Sequence, residues 1–203
     1  MINTILFDLG NVLLPIDVDS TYKAFRNLGA KNTLHRDLPL FYSWEKGEFG
    51  SEIFYSEIKT HLKFQAHPTS IKQAWNAMLL KFPEENIRLL KKLKSKYKLV
   101  LISNINHIHE IAIKDLMGSF QYGQMLKQFS GIYYSHHVGL RKPDEAFFNL
   151  VCNESNLIPN ETLFVDDTQE NILAATKLGF KTWHFNPKSD NLHSINKIVE
   201  GLD

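Results

Sequence analysis

At 203 residues, with 43% hydrophobic side chains and a formal net charge of +1, the chain is long enough to bury a core and carries no field that would gather nucleic acid or an anionic membrane surface. No apolar stretch reaches membrane-spanning length, and the single cysteine, Cys152, excludes internal disulfides and thiolate zinc clusters. These numbers lead us to expect a cytoplasmic protein, monomer or homodimer, acting on a small partner.

In chain order, the first apolar run is Thr4–Phe7, which reads as a strand and delivers Asp8 into a turn at Gly10 within the stretch FDLGNVLL. The run begins at Ile2, so no signal peptide is expected. From 16 to 81 the apolar residues fall at helical intervals, as in Tyr22 and Phe25, Ile53, Phe54 and Ile58, and Ile71, Trp75 and Met78, with no strand-like run. That stretch is read as a helical cap inserted into a core made of 1–15 and 82–203. Pro83, followed by Glu84 and Glu85, opens a helix whose apolar face holds Ile87, Leu90 and Leu93 and whose lysines gather near its end. A strand follows at Lys98–Ile102, then an irregular stretch, Phe120–Ser130, read as a surface loop or short helix, then a strand at Gly131–Tyr134. Pro143-Asp144-Glu145 opens another helix, in which Cys152, set among Phe147, Leu150 and Val151, takes a buried position. The last strands are Thr162–Val165 and Lys181–Phe185. Between them Asp167-Thr168-Gln169-Glu170 reads as a capping box and Gly179 as a helix stop. Strand and helix in alternation predict an α/β fold: a Rossmann-like parallel sheet core with helices on both faces and a small α-helical cap inserted after the first strand.

In an open parallel sheet, ligands bind beyond the carboxyl ends of the strands. Here those ends carry Asp8, Ser103-Asn104, Ser135 and Asp166-Asp167, with Lys142-Pro143 following the third core strand. Hard carboxylate oxygens in this number suit Mg²⁺, which takes one or two carboxylates together with waters and substrate phosphate. A lysine near a helix N-terminus and a serine hydroxyl suit the oxygens of a phosphate. Helix capping would explain Asp167 but not the adjacent Asp166, whose charge repels it unless a cation is near. Among the histidines, His107 and His109 are two apart and His136 and His137 adjacent, so neither pair has the i, i+4 spacing of a helical zinc site. No basic face interleaved with aromatics points to nucleic acid.

The segments Asp8-x-Gly10-Asn11-Val12, Leu101-Ile102-Ser103-Asn104, Gly139-Leu140-Arg141-Lys142-Pro143-Asp144 and Phe164-Val165-Asp166-Asp167 resemble, in order, the four motifs of the haloacid dehalogenase superfamily. The chain is most similar to its small helical-cap phosphatases of the glucose-1-phosphate phosphatase type and to the N-terminal phosphatase domain of soluble epoxide hydrolases. The resemblance implies hydrolysis of a small phosphorylated metabolite, a sugar phosphate being the first choice, through an aspartyl phosphate on Asp8. It also implies that Ser103 and Lys142 bind the transferring group, and that Asp8, the Gly10 carbonyl, Asp167 and, through water, Asp166 hold Mg²⁺. Asn104, Asn106 and Asn171 are expected as supporting donors. Trp44-Glu45-Lys46-Gly47-Glu48 matches a cap segment near the substrate, which places Trp44 and Lys46, together with Asn104, at the pocket.

Gly10 departs from the pattern, because most phosphatases of this superfamily carry there a second Asp that protonates the leaving oxygen. Asp17, where the chain leaves the core, is the candidate to replace it. Two alternatives to the phosphatase stand beside it. One is a metal-independent haloacid dehalogenase, which the pair Asp166-Asp167 disfavours because it would repel a carboxylate substrate. The other is a catalytically impaired phosphate-binding or regulatory module.

Overall fold

Every short apolar run expected to be a strand is one, and all five pair in parallel. The computed structural model describes residues 1–35 and 38–202. Its strands are β1 (Thr4–Phe7), β2 (Lys98–Ser103), β3 (Gly131–Tyr134), β4 (Thr162–Asp166) and β5 (Lys181–His184), in the order β3-β2-β1-β4-β5. β1 is therefore central. Its last residue, Phe7, pairs with Leu101 on one side and Val165 on the other, which aligns the three strand ends beyond them.

Because successive side chains of a strand point to opposite faces, each strand serves two cores. Ile5 and Phe7, Leu99 and Leu101, and Leu163 and Val165 face one of them, under α5 (Glu84–Lys94), α6 (His107–Met117), α7 (Ser119–Leu126) and α11 (Ile195–Glu200). Leu6, Val100, Ile102 and Phe164 face the other, under α9 (Glu145–Ser155) and α10 (Gln169–Lys177). Burial on both faces is why these runs are continuously apolar rather than alternating.

Between β1 and β2 the described chain forms α1 (Val18–Asn27), α2 (Pro39–Glu45), α3 (Ser51–Leu62) and α4 (Pro68–Asn76) before α5. These four bury a cluster of their own in which Trp44 stacks on Phe54 at 4.8 Å and Phe54 meets Trp75 at 4.9 Å, with Ile108 of α6 as the contribution from below. Ile16 and Leu79 bridge antiparallel where the chain leaves and re-enters. Between β3 and α9 lies the one-turn helix α8 (Ser135–Val138).

Of the two readings of the irregular stretch after α6, the structure has the short helix, α7, held down by buried Tyr122 and Met125. Two other expectations need correction. Cys152 lies on α9 as expected but is only half-buried, packed against the edge of the second core. No capping box forms at α10, whose N-cap is Thr168 without a side-chain cap bond. The acids before it bond to Thr168 itself: Asp166 Oδ1 accepts from the Thr168 N–H at 2.8 Å and Asp167 Oδ1 from the Thr168 hydroxyl at 3.3 Å.

Candidate active site

The strand ends converge on Lys142. Its ammonium, 1% exposed, donates to Asp8 Oδ1 at 2.7 Å, to Asp166 Oδ2 at 2.6 Å and to the Ile102 carbonyl at 3.3 Å, so all three of its protons are placed. Asn104 holds the loop that delivers it, accepting from the Lys142 N–H and donating to the Lys142 carbonyl, each at 2.8 Å. Its amide is thus engaged by the Lys142 backbone. Asp166 is wholly buried. It accepts from Lys142, from the Thr168 N–H and, on both oxygens, from Asn171 Nδ2 at 3.0 Å, which uses its lone pairs and sets it behind the cavity wall.

Asp8, Asp166 and Asp167 bring one oxygen each within 4.8 Å of one another. Three carboxylates about one ammonium leave two negative charges uncompensated. Burial, then the charges of Asp166 and Asp167, push the Asp8 carboxyl up to about 7 against the opposing pull of Lys142. Hard oxygen donors with surplus negative charge fit a divalent cation such as Mg²⁺.

Gly10 lies beside them at the cavity wall, and a Cβ built there would meet only Ile16 Cδ1 at 3.7 Å. The next residue, Asn11, adopts the left-handed conformation (φ 56°) that Asn tolerates better than most residues. From there its Nδ2 donates to Asp167 Oδ2 at 2.8 Å and its Oδ1 accepts from the Ile16 N–H at 3.3 Å. Asn11 therefore orients a candidate metal ligand, a role the sequence reading did not assign. An Asn directly after the glycine of a strand-end turn was the available signal.

Above these groups opens a cavity of about 570 Å³ whose floor includes Asp8, Ser103 and Asp167 and whose walls include Tyr22, Phe41 and Trp75. Trp44 also lines it, buried, with an indole N–H that finds no protein acceptor among the described residues. Arg141 ties α2 to the lysine loop, its Nε donating to Glu45 Oε2 at 2.9 Å and its guanidinium lying 4.3 Å from the Tyr42 ring centroid. A second tie is fully buried. His109 Nε2 donates to the Trp75 carbonyl at 3.2 Å, and its Nδ1 accepts from Asn106 Nδ2 at 3.2 Å. Asn106 Oδ1 caps α6 through the His109 N–H at 3.0 Å.

Two expected pocket residues stand outside the cavity lining. Asp17 accepts from the Ser20 hydroxyl, which holds its carboxyl below the usual range, and Lys46 pairs with Glu48 at 2.6 Å.

The family model for haloacid dehalogenase-like hydrolases matches residues 2–179. The chain is 29% identical over 190 residues, 90% of its own length and 91% of the relative's, to a D-ribitol-5-phosphate phosphatase of Bacteroides thetaiotaomicron. Its fold matches that of a HAD family enzyme of the same organism crystallised with magnesium and inorganic phosphate, at TM-score 0.83 and 28% identity over 94% of this chain and 97% of that one. A predicted HAD-like family hydrolase of Porphyromonas gingivalis is also similar, at TM-score 0.85 and 28% identity, covering 100% of this chain and 98% of that one.

Proposed function

Because the chain belongs to the haloacid dehalogenase-like hydrolase family, we infer that the strand-end cluster is the active site of a Mg²⁺-dependent phosphatase acting on a small organic phosphate monoester. The observation that carries this reading is the Lys142 ammonium shared between Asp8 and Asp166 at the floor of a cavity large enough for a phosphorylated metabolite.

Asp8 attacks phosphorus through a carboxylate oxygen, and the ester P–O bond breaks to release the alcohol, its oxygen taking a proton from water; a water molecule then attacks the aspartyl phosphate, releasing phosphate and a proton and restoring the carboxylate. Lys142 fixes the rotation of Asp8 and neutralises charge on the phosphoryl oxygens, and the Ser103 hydroxyl donates to one of them. Asn104 and Asn171 position this pair, the first through the Lys142 backbone and the second through Asp166. Asp8, Asp167 and the Gly10 carbonyl are the groups to hold Mg²⁺, which when bound supplies positive charge against the carboxylates and the substrate phosphate. Asp166 contributes by holding Lys142. Residues 16–81 act as the cap over the core of 1–15 and 82–203, and its aromatic wall, Trp44 included, faces the organic part of the substrate. Asp17 is bonded to Ser20 outside the cavity lining, so in this reading the chemistry proceeds with no side-chain acid at Gly10.

The relative named for D-ribitol-5-phosphate makes pentitol and sugar phosphates the first compounds to try. Phosphate release from that panel and from p-nitrophenyl phosphate, with Mg²⁺ or with EDTA, tests the reading on the wild type and Asp8→Asn. Metal-dependent release that disappears in the variant is expected. A folded wild type that binds Mg²⁺ and a phosphate analogue yet releases nothing would instead make the site a phosphate-binding module.

A further inference from the structure

A second convergence of ligating side chains lies on the opposite flank of α6, away from the three aspartates. His107 and Glu110, one turn apart on α6, meet His136 of α8, and one ligating atom from each lies within 4.8 Å of the others. The neighbouring His137 points its Nε2 at the same Glu110 oxygen, Oε2, at 3.1 Å, and the rings of His136 and His137 lie 4.2 Å apart. A cavity of about 200 Å³ opens onto this group, bounded by His107, His136, His137 and, from the segment after α2, Gly47 and Phe49.

The protonation state of His136 makes the cluster more than a set of neighbours. Its Nδ1 lies 2.8 Å from the Ile105 carbonyl, which can only accept, so Nδ1 carries the proton. In the neutral ring Nε2 is then a bare lone pair, and it lies 3.0 Å from Glu110 Oε2, itself an acceptor. Two lone pairs at that distance repel unless a cation lies with them, either a proton on Nε2 or a metal ion. An Nδ1–H anchored on a backbone carbonyl with Nε2 presented inward is the arrangement by which proteins orient a metal-ligating histidine. The His136 side chain is 6% exposed, so that orientation is held by packing. A turn beginning at Gly47 closes over it. A Cβ on Gly47 would come within 2.5 Å of the His136 carbonyl oxygen, which leaves glycine as the residue that lets this close approach occur.

We propose that His107, Glu110 and His136, with His137 beside them, form a second metal site that takes a borderline divalent transition ion, Zn²⁺ first among them. Imidazole nitrogens with a single carboxylate select such ions over Mg²⁺, which prefers an all-oxygen shell. Bound there, the ion joins the start of α6, which follows Ser103-Asn104, to α8, which precedes Lys142, and so cross-links the two loops that carry the phosphate-binding groups.

Zn²⁺ titration by calorimetry in excess Mg²⁺, together with the d–d absorption of Co²⁺ as a probe of imidazole ligation, tests the site without reference to activity. Micromolar or tighter binding of one equivalent is expected in the wild type and in Asp167→Asn, which disables the aspartate cluster. It should be weakened about ten-fold or more in His107→Ala and in His136→Asn. Should His136→Asn fail to fold because the bond to Ile105 is lost, His107→Ala and His137→Ala, both at exposed rings, carry the test. The proposal is overturned if no saturable Zn²⁺ binding occurs, which leaves His136 as an imidazolium paired with Glu110. It is equally overturned if binding is lost in Asp167→Asn and kept in His107→Ala.

Discussion

Gly10 stands where the motif that the chain resembles is expected to carry a second Asp, and its surroundings permit a direct test. With Ile16 Cδ1 at 3.7 Å as the nearest atom to a built Cβ, the backbone at Gly10 has room for the Cβ of Gly10→Asp. An added carboxylic acid beside the leaving oxygen should raise kcat by a factor of about 10²–10⁴ for alkyl phosphates and by much less for p-nitrophenyl phosphate, whose leaving group needs no proton. Equal gains on both substrates would show that the side chain acts by some means other than protonation. Lys142 poses the opposite experiment. Lys142→Met leaves Asp8 and Asp166 buried without their counter-ion, and the expected cost is about 3–5 kcal/mol in the urea midpoint along with loss of turnover. Neither residue's partners are adjacent in sequence. The motif order revealed Asp8, Ser103, Lys142 and Asp167, but nothing local shows that Asn104 is occupied by Lys142, or that Asp17 is turned to Ser20.

At the level of elements, the central strands β1, β2 and β4 were legible because burial on both faces demands apolar runs, and helices α5 and α9 because proline and acids mark their starts. The box expected at α10 failed because Asp167 answers to Asn11 of the turn after β1 and to the Thr168 hydroxyl rather than to helix N–H groups, a tertiary demand that overrides a local motif. The four-residue helix α8 and the histidines gathered beside it were hidden for a related reason, since His107 and His136 meet only once β3 is laid beside β2. The join between α4 and α6 has a measurable signature. Burial pushes His109 down to about 4, so the folded protein keeps a neutral ring while the unfolded chain takes up a proton near 6.5. Stability present above pH 6.5 is therefore lost progressively as pH falls to about 4, by about 3 kcal/mol in total. His109→Gln can donate to Trp75 and accept from Asn106 without titrating. Denaturation midpoints of wild type and variant should diverge on acidification through that window, and parallel curves would count against it.

Across the whole molecule, the site draws on β1, β2, β4 and the loop after α8, so a ligand held there bridges the sheet from its centre outward. Mg²⁺ binding should raise the melting temperature of the EDTA-treated protein, by about 2.7 kcal/mol of added stability at a hundred times the dissociation constant. Asp167→Asn should remove that gain, and a gain that persists in the variant would place the ion elsewhere. The central position of β1 also sets a schedule for the cell. β1 is synthesised before both of its register partners, which begin at Lys98 and Thr162, and a ribosome adding about 5–20 residues per second needs on the order of ten seconds to go from β1 to the second of them. For that interval Ile5, Leu6 and Phe7, all fully enclosed in the finished protein, wait as an unpaired apolar ribbon. The pace of translation sets how long those residues stay open to capture by a chaperone or another chain, a kinetic exposure distinct from the stability of the finished fold.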